Sequence, residues 1–238
     1  MARVILNADD FGYDLQVSRG IVVAMTEGVV SSTTMMVNTP QSEDAARLAG
    51  PLAVGLHLNL ARYAAVSDPA HVFQDAMAAR LEAGFVEQEV HAQLDRLKAL
   101  LGREATHVDV HKHLHVHPGI LEGLARAAKA RGLPVRSIDA AMRGELRSRG
   151  VATNEHFYGD AGTDAFWTLE RFRAHVAGLP ADGVVELMCH PGYAPTSVQS
   201  AYSAQREVEL ATFISPEARA ALAEAGVTLE SWAAVAAR

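Results

Sequence analysis

Short apolar runs alternate with longer segments of helical periodicity along this chain, and this alternation constrains its fold more than any other feature. The short runs are rich in β-branched residues, whereas the longer segments repeat apolar residues at helical spacing. Such an order is typical of a parallel sheet or barrel that is wrapped by helices. Seven runs are predicted as strands: Arg3–Ala8, Ser32–Val37, Val54–Leu60, His107–Val110, Val135–Ile138, Val184–Cys189 and Val227–Leu229.

The segments between these runs are predicted as helices, and their number indicates a barrel-like α/β fold of about seven βα units. The sequence has no internal repeat, low-complexity tract or flexible linker, so one domain is expected over residues 1–238. The predicted helices are Gln16–Glu27, Glu43–Leu48, Val86–Leu101, Ile120–Ala130, Thr168–Val176, Ala204–Thr212 and Pro216–Ala225.

Two connections lack a regular pattern, namely Ala61–Gly84 and Val151–Phe166. Long connections of this kind tend to carry substrate contacts when they lie at the C-terminal mouth of a barrel. Both segments are therefore predicted as loops near a functional site.

Composition and charge exclude several classes of partner. The 238 residues are 49% hydrophobic, which is enough to bury a substantial core. The chain has 21 lysines and arginines against 28 aspartates and glutamates, a formal net charge of -7. This charge gives no general attraction to nucleic acid or to an anionic membrane surface, so a small neutral substrate is expected. No apolar run approaches the roughly 20 residues that a bilayer-spanning helix needs.

Cysteine usage and the N-terminal segment both favour the cytoplasm. Cys189 is the sole cysteine, so the chain cannot form an intramolecular disulfide and is compatible with a reducing compartment. The chain runs at once into the apolar segment RVIL followed by NADD, which is too short for the core of a signal peptide. We therefore expect a cytoplasmic protein.

Polar residues stand in or just after four of the apolar strands. Asp9 and Asp10 follow RVIL, and His57 lies within AVGLHLNL. His111 follows THVDV, and His190 follows VVELMC. A barrel brings the C-terminal ends of its strands together on one face, which is where catalytic groups collect. These side chains are therefore expected to be neighbours.

The segment THVDVHKHLHVHP holds five of the eleven histidines, all at odd-numbered positions. In an extended strand, His107, Asp109 and the later histidines up to His117 would share one face. At about 3.3 Å per residue, the ends of this series would lie on the order of 30 Å apart, so one metal ion can bind one or two of them. His111 is the best placed, and Asp10 and His57 are expected to complete the set of ligands.

Two imidazoles and one carboxylate suit zinc, cobalt, nickel, manganese, iron or magnesium, with positions left open for water. A bound metal lowers the pKa of water from about 16 towards about 7 in favourable zinc sites and polarises a carbonyl. Asp9 is then a candidate base, and His190 is a candidate acid for a departing amine. Glu186 shares a strand face with His190 and is a candidate to orient a neighbouring side chain.

Seven segments in chain order resemble the YdjC-like family, also called the ChbG/HpnK carbohydrate deacetylases. By this resemblance, Asp10, His57 and His111 correspond to the metal ligands, Asp9 to the catalytic base and His190 to the general acid. The segments span nearly the whole chain: NADDFG, SSTTMMVN, GLHLNL, THVDVHKHLHVHP, HFYG, ELMCHPGY and the R-E-x-E-L spacing of Arg206–Leu210.

The resemblance also implies a fold and an activity. The fold would be a distorted (β/α) barrel of the polysaccharide-deacetylase type, often found as a homodimer. The cofactor would be one divalent metal ion, usually magnesium or zinc, and the reaction would remove an acetyl group from an N-acetylated sugar. Tyr193, directly after the His-Pro-Gly turn, is a candidate to stack on that sugar. His113 and His115 are predicted either to line the pocket or to support it from behind.

Two competing hypotheses stay open at this point. The same ligands occur in iron-dependent oxygenases, and His107-Val108-Asp109 supplies their His-X-Asp element. The βα alternation argues against the all-β barrel that usually hosts that chemistry. A non-catalytic barrel that binds a metal or a sugar is the other hypothesis. Asp9 and His190 argue against it, because binding alone needs neither.

Overall fold

A curled parallel sheet forms the centre of the protein. The computed structural model describes residues 2–236, and within that range the sheet has seven strands. The strands are β1 Arg3–Phe11, β2 Ser32–Met35, β3 Val54–Leu58, β4 Val108–Val110, β5 His156–Tyr158, β6 Val184–Cys189 and β7 Thr228–Leu229.

Helices pack around this sheet, as the alternating sequence pattern predicts. Two short 3-10 helices, Asp75–Arg80 and His111–Val116, interrupt the connections that follow β3 and β4. Among the described residues, no helix has the length and apolar character needed to cross a membrane. The α-helices are α1 Leu15–Thr26, α2 Ser42–Leu48, α3 Ala83–Leu101, α4 Pro118–Arg131, α5 Ala140–Ser148, α6 Leu169–Ala177, α7 Ala204–Ile214, α8 Pro216–Glu224 and α9 Ala233–Ala236.

The strands run in the order β4-β3-β2-β1-β6-β5, all parallel, and β7 pairs with the first residues of β1. β1 is the central strand, and every residue of it after Arg3 is buried. Because all strands run the same way, the ends of β1, β3, β4 and β6 meet at one mouth. The predicted α/β barrel is confirmed in the form of a curled half-barrel.

The predicted strand Val135–Ile138 is wrong as a strand, although the segment lies where a strand would close the barrel. It forms one isolated parallel bridge, between Val135 and Val108. At Ser137 the side chain of Asn154 takes the place of a backbone partner: Asn154 Oδ1 accepts from the Ser137 amide at 2.7 Å, and its Nδ2 donates to the Ser137 carbonyl at 2.9 Å. The backbone groups are satisfied, but no ladder continues.

β5 lies inside the segment Val151–Phe166, which the sequence predicts as a loop. His156 pairs with Val185 and Tyr158 with Leu187, so β5 forms the edge of the sheet beside β6. Three residues are too short to show an alternating pattern. A further unpredicted element, α5, is nine residues long and buries two apolar side chains four positions apart, Met142 and Leu146.

The end of β1 is irregular, and this irregularity shapes the site. The pairing with β2 shifts register between Ala8 and Phe11, and Asp10 has a left-handed backbone with φ of 71°. In a regular strand Asp9 and Asp10 would point to opposite faces. The bulge re-aims the chain, so both carboxylates reach the same cavity.

The shared strand face predicted for the histidine-rich segment is wrong beyond Asp109. β4 ends at Val110, and the 3-10 helix His111–Val116 begins there. Lys112 and His113 both have left-handed backbones, with φ of 56° and 52°. Two successive left-handed residues cannot continue a strand, so the histidines turn to different surroundings.

Candidate metal centre and active site

A cavity of about 490 Å³ opens at the C-terminal ends of the strands. Asp9 and Asp10 reach it from the end of β1, and His57 from β3. His111, directly after β4, and His190, directly after β6, complete its polar floor. The structure therefore brings together the five residues that the sequence places at the strand ends.

Asp10, His57 and His111 direct three ligand atoms at one point. Asp10 Oδ1 lies 3.3 Å from His57 Nε2 and 3.3 Å from His111 Nδ1, and the two nitrogens are 3.2 Å apart. In a tetrahedral zinc site with bonds of about 2.0–2.1 Å, adjacent ligand atoms are ~3.3 Å apart. Asp10 Oδ1 is buried without a hydrogen-bond partner, as expected of an atom reserved for a cation. The residues present fit a divalent metal ion.

His57 is held from behind by Asp109. His57 Nδ1 lies 2.6 Å from Asp109 Oδ1, and the hydroxyl of Thr34 donates to Asp109 Oδ2 at 2.9 Å. A carboxylate behind a metal-binding histidine fixes the orientation of its ring and makes the other nitrogen more basic. Burial opposes a charge on this ring, but Asp109 and then Asp10 outweigh it and raise the pKa of His57 to about 10.

Asp10 is held through its second oxygen by Arg206, whose Nη2 donates to Asp10 Oδ2 at 2.6 Å. Both side chains are buried. Burial alone would raise the pKa of Asp10, but the Arg206 guanidinium and then the adjacent imidazoles of His111 and His57 hold it well below its usual value. Asp10 is therefore ionised, with one oxygen directed at the predicted metal position.

Asp9 is bound by a fully buried guanidinium. Arg136 Nη1 donates to Asp9 Oδ2 at 2.6 Å and Nη2 donates to Asp9 Oδ1 at 2.7 Å, a bidentate pair. Burial would raise the pKa of Asp9, but Arg136 outweighs it and holds the pKa far below its usual value. Asp9, His57 and Asp109 also form a cluster with metal-ligand spacing, yet Arg136 Nη2 already lies 2.8 Å from Asp109 and occupies it.

Glu186 lies beneath this pair and orients it. Its Oε1 accepts from Arg136 Nε at 2.8 Å and from the indole of Trp232 at 3.3 Å. Burial raises the pKa of Glu186 to about 7 despite the adjacent guanidinium. The neighbour that Glu186 contacts, and is a candidate to orient, is therefore Arg136.

His190 is held through its backbone and not through its ring. Its amide donates to Glu209 Oε2 at 2.6 Å, and its imidazole packs 5.4 Å from the ring of Tyr202. His190 Nδ1 is buried and has no hydrogen-bond partner among the described residues. Burial lowers the pKa of His190 to about 4, so the ring is neutral near pH 7.

Of the four additional candidates, His113 is the one that lines the cavity. His115 is fully buried and lines a separate cavity with Pro118 and Met142. Tyr193 is 39% exposed and lies outside the active-site cavity. Glu186, described above, is too deep to reach it.

Four buried residues that were not predicted as site residues support the site: Asp109, Arg136, Arg206 and Glu209. A signal existed for each. Arg136 interrupts an apolar run, Arg206 and Glu209 belong to the R-E-x-E-L spacing, and Asp109 lies among the histidines. Tyr13, Arg62 and Lys112 form part of the rim of the cavity and had no distinguishing pattern.

The sequence profile described as YdjC-like protein matches residues 3–224. The chain belongs to the YdjC-like family. A carbohydrate deacetylase of Geobacillus stearothermophilus is 36% identical over 238 residues and covers 94% of each chain. A chitooligosaccharide deacetylase of Serratia marcescens is 33% identical over 249 residues, covering 96% of this chain and 97% of its own. These relatives place the YdjC-like chain among carbohydrate deacetylases.

Solved structures agree with the fold of this YdjC-like protein. A proposed cellobiose-phosphate cleavage protein of Enterococcus faecalis V583 superposes with a TM-score of 0.84 at 26% identity, over 98% of both chains. A family 4 acetyl xylan esterase of Clostridium thermocellum, solved with a cobalt ion, has a TM-score of 0.54 at 10% identity, over 98% of this chain and 89% of its own. At that identity the second match shows the fold alone.

The geometry does not favour the oxygenase hypothesis. His107, the first residue of the His-X-Asp element, does not reach the ligand triangle: it is fully buried and stacks on Trp232 with ring centroids 4.9 Å apart. Asp109 contacts His57 and Arg136 instead. The element therefore forms no facial set of metal ligands.

Proposed function

We propose that this chain is a metal-dependent carbohydrate N-deacetylase that removes the acetyl group from an N-acetylated sugar or oligosaccharide. The observation that carries the proposal is the triangle of Asp10 Oδ1, His57 Nε2 and His111 Nδ1, with edges of 3.2–3.3 Å, in one cavity with Asp9 and His190. The family relatives support the substrate class. A barrel that only bound a metal or sugar would need neither Asp9 nor His190.

Asp10, His57 and His111 would hold the metal ion. When bound, the ion lowers the pKa of water and polarises the acetamide carbonyl. Zinc and magnesium are the proposed ions, and the two imidazole nitrogens favour zinc, because magnesium prefers oxygen ligands. Elemental analysis of the purified protein identifies the metal.

Asp9 and His190 would move the protons. Asp9 is ionised and fixed by Arg136, so it is available to accept a proton from the attacking water. His190 delivers a proton to the departing amine nitrogen. Because burial keeps the pKa of His190 near 4, the ring must first take up a proton from solvent, which negative charge developing on the acetyl oxygen favours; the protonated ring is then a strong acid.

Acetate release across a panel of N-acetylated sugars, with and without a chelator, tests the proposal. We expect release that disappears with the chelator and returns when metal is restored. Release that persists in metal-free protein would contradict the metal-dependent mechanism, and no release from any substrate by metal-loaded protein would favour the non-catalytic alternative.

We further propose that the enzyme acts in the cytoplasm as a homodimer. The buried free thiol of Cys189 supports a reducing compartment, and the family resemblance supports the dimer. Light scattering tests the second point, since a dimer has twice the 25.4 kDa mass of the chain.

A further inference from the structure

Helix α7 connects the two halves of the site. Arg206 and Glu209 are three positions apart, so they lie on the same face of this helix. Arg206 Nη2 donates to Asp10 at 2.6 Å, and Glu209 Oε2 accepts from the amide of His190 at 2.6 Å. The amide of Gly192 also donates to the Arg206 carbonyl at 3.2 Å. One helix face therefore contacts a proposed metal ligand and the backbone of the proposed acid.

Glu209 is fully buried, and both of its oxygens are engaged. Besides the His190 amide, it accepts from the Tyr202 hydroxyl at 2.5 Å and from the Trp167 amide at 3.3 Å. Burying a carboxylate is costly unless such partners satisfy it. Its removal would leave three buried donors unpaired, so Glu209 organises the surroundings of His190 and not only its own position.

His190 depends on this organisation because no described residue forms a hydrogen bond with its Nδ1. His57 has a carboxylate on its rear nitrogen, whereas His190 Nδ1 has no hydrogen-bond partner among residues 2–236. The ring of His190 is placed by its backbone and by packing on Tyr202, with centroids 5.4 Å apart and an interplanar angle of 60°. Glu209 accepts a hydrogen bond from the backbone amide of His190 and another from the hydroxyl of Tyr202.

We propose that Glu209 is a positioning residue for His190, acting through the His190 amide and through the ring of Tyr202. The inference rests on the proposed function, because it takes His190 to be the proton donor. A reacting group misplaced by about 1 Å costs on the order of 100-fold in rate. Loss of Glu209 should therefore lower kcat without touching the metal ligands.

The test compares three variants of the metal-loaded enzyme on an N-acetylated sugar. Glu209→Ala removes every acceptor and should lower kcat by roughly 30- to 100-fold, with KM and metal content unchanged. Glu209→Gln keeps an oxygen for the His190 amide and should recover most of that loss. Tyr202→Phe keeps the ring and loses one hydrogen bond, and a loss of only a few-fold is expected. The matched control is Glu217→Ala, an exposed glutamate on α8 outside the active-site cavity, with kcat unchanged.

A double-mutant cycle separates positioning from general damage. If Glu209 acts through His190, Glu209→Ala causes no further loss of kcat in a His190→Ala background. An equal fractional loss in both backgrounds, or wild-type kcat for Glu209→Ala, would overturn the inference. Should Glu209→Ala fail to fold in a thermal melt, Tyr202→Phe replaces it in the same cycle, and its few-fold loss of kcat should vanish in the His190→Ala background; an equal fractional loss in both backgrounds would overturn the inference.

The cycle also keeps the two proposals distinguishable. Wild-type kcat for His190→Ala would remove His190 as the acid and with it the proposed mechanism. A large loss for His190→Ala together with wild-type kcat for every Glu209 and Tyr202 variant would overturn the positioning role alone.

Discussion

Two histidines that line the cavity, His57 and His190, are held in different ways. His57 and Asp109 are paired residues of neighbouring strands, and the carboxylate lies 2.6 Å from the ring nitrogen. His190 follows the end of its strand, and its support comes from Glu209, on a helix 19 positions further along the chain. The metal side is thus built within the sheet, whereas the acid side is built between the sheet and a helix.

This difference has a functional consequence. A histidine that binds a metal needs one ring nitrogen with its lone pair in a fixed direction. A carboxylate behind the ring fixes that direction and also raises the pKa of the ring. A proton donor has to change protonation state during the reaction, and a carboxylate on its rear nitrogen would hold it in the charged form. Support through the backbone fixes the position of His190 while leaving its ring free to titrate. Substitutions on the two sides should therefore have different signatures.

The largest effect is expected from a metal ligand. His57→Ala should abolish stoichiometric metal binding and lower kcat/KM by at least about 1000-fold, because the metal contributes several kcal/mol to the transition state. Metal analysis and acetate release measure both quantities. His91→Ala, on helix α3 and outside the cavity, is the control and should keep both. A His57→Ala enzyme with full metal content would remove His57 from the set of ligands.

Asp9→Asn should lower kcat by about 100- to 10,000-fold, the range typical of a lost general base, while metal content stays at the wild-type value. The amide cannot accept the proton from water, and it also weakens the bidentate contact with Arg136. Acetate release and elemental analysis of the same preparation separate this outcome from loss of the ion. Wild-type turnover on every active substrate would show that another group is the base.

Asp109→Asn tests the support on the metal side and should weaken metal binding by about 10- to 100-fold. At saturating metal, kcat should recover towards the wild-type value, because no proton-transferring group is changed. Glu209→Ala should show the reverse pattern, with full metal affinity and reduced kcat. Metal titrations followed by kinetics at saturating metal compare the two variants. If both changed metal affinity and kcat in the same way, the proposed difference between the two sides would be wrong.

The parts that the sequence predicted well are those set by strand ends. Asp9, Asp10, His57, His111 and His190 follow or occupy apolar runs, and a parallel arrangement necessarily brings such ends together. Nothing in the sequence stated which oxygen or nitrogen each would present. The bulge that aims both aspartates at one cavity depends on pairing with β2, which local sequence does not encode.

The parts that sequence reasoning missed depend on tertiary contacts. The predicted strand stops at Ser137 because its backbone amide donates to the side chain of Asn154, 17 positions later in the chain. Arg136 joins Asp9 and Glu186, which lie on separate strands, so its place in an apolar run could not indicate which carboxylates it binds. His115 has the sequence spacing expected for one face of a strand, but the backbone leaves the extended conformation at Lys112, three residues earlier.

The smallest expected effect is a pH dependence of metal affinity that belongs to the metal side alone. In the metal-free protein the pKa of His57 is about 10, so near pH 7 its ring carries a proton between Asp109 and Asp10. A metal ion must displace that proton. Below the pKa, each unit by which the pH falls should lower the apparent metal affinity about tenfold, or ~1.4 kcal/mol.

Calorimetric titrations in buffers of different ionisation enthalpy measure the protons released on binding, and about one is expected from His57 between pH 7 and 8. Asp109→Asn removes the carboxylate that stabilises the charged ring of His57. The upward shift of the His57 pKa and the proton release on metal binding should therefore both shrink. Glu209→Gln should leave the release unchanged, because it contacts no metal ligand. If proton release changed in Glu209→Gln but not in Asp109→Asn, the two sides would share one proton network through the Arg206–Asp10 ion pair.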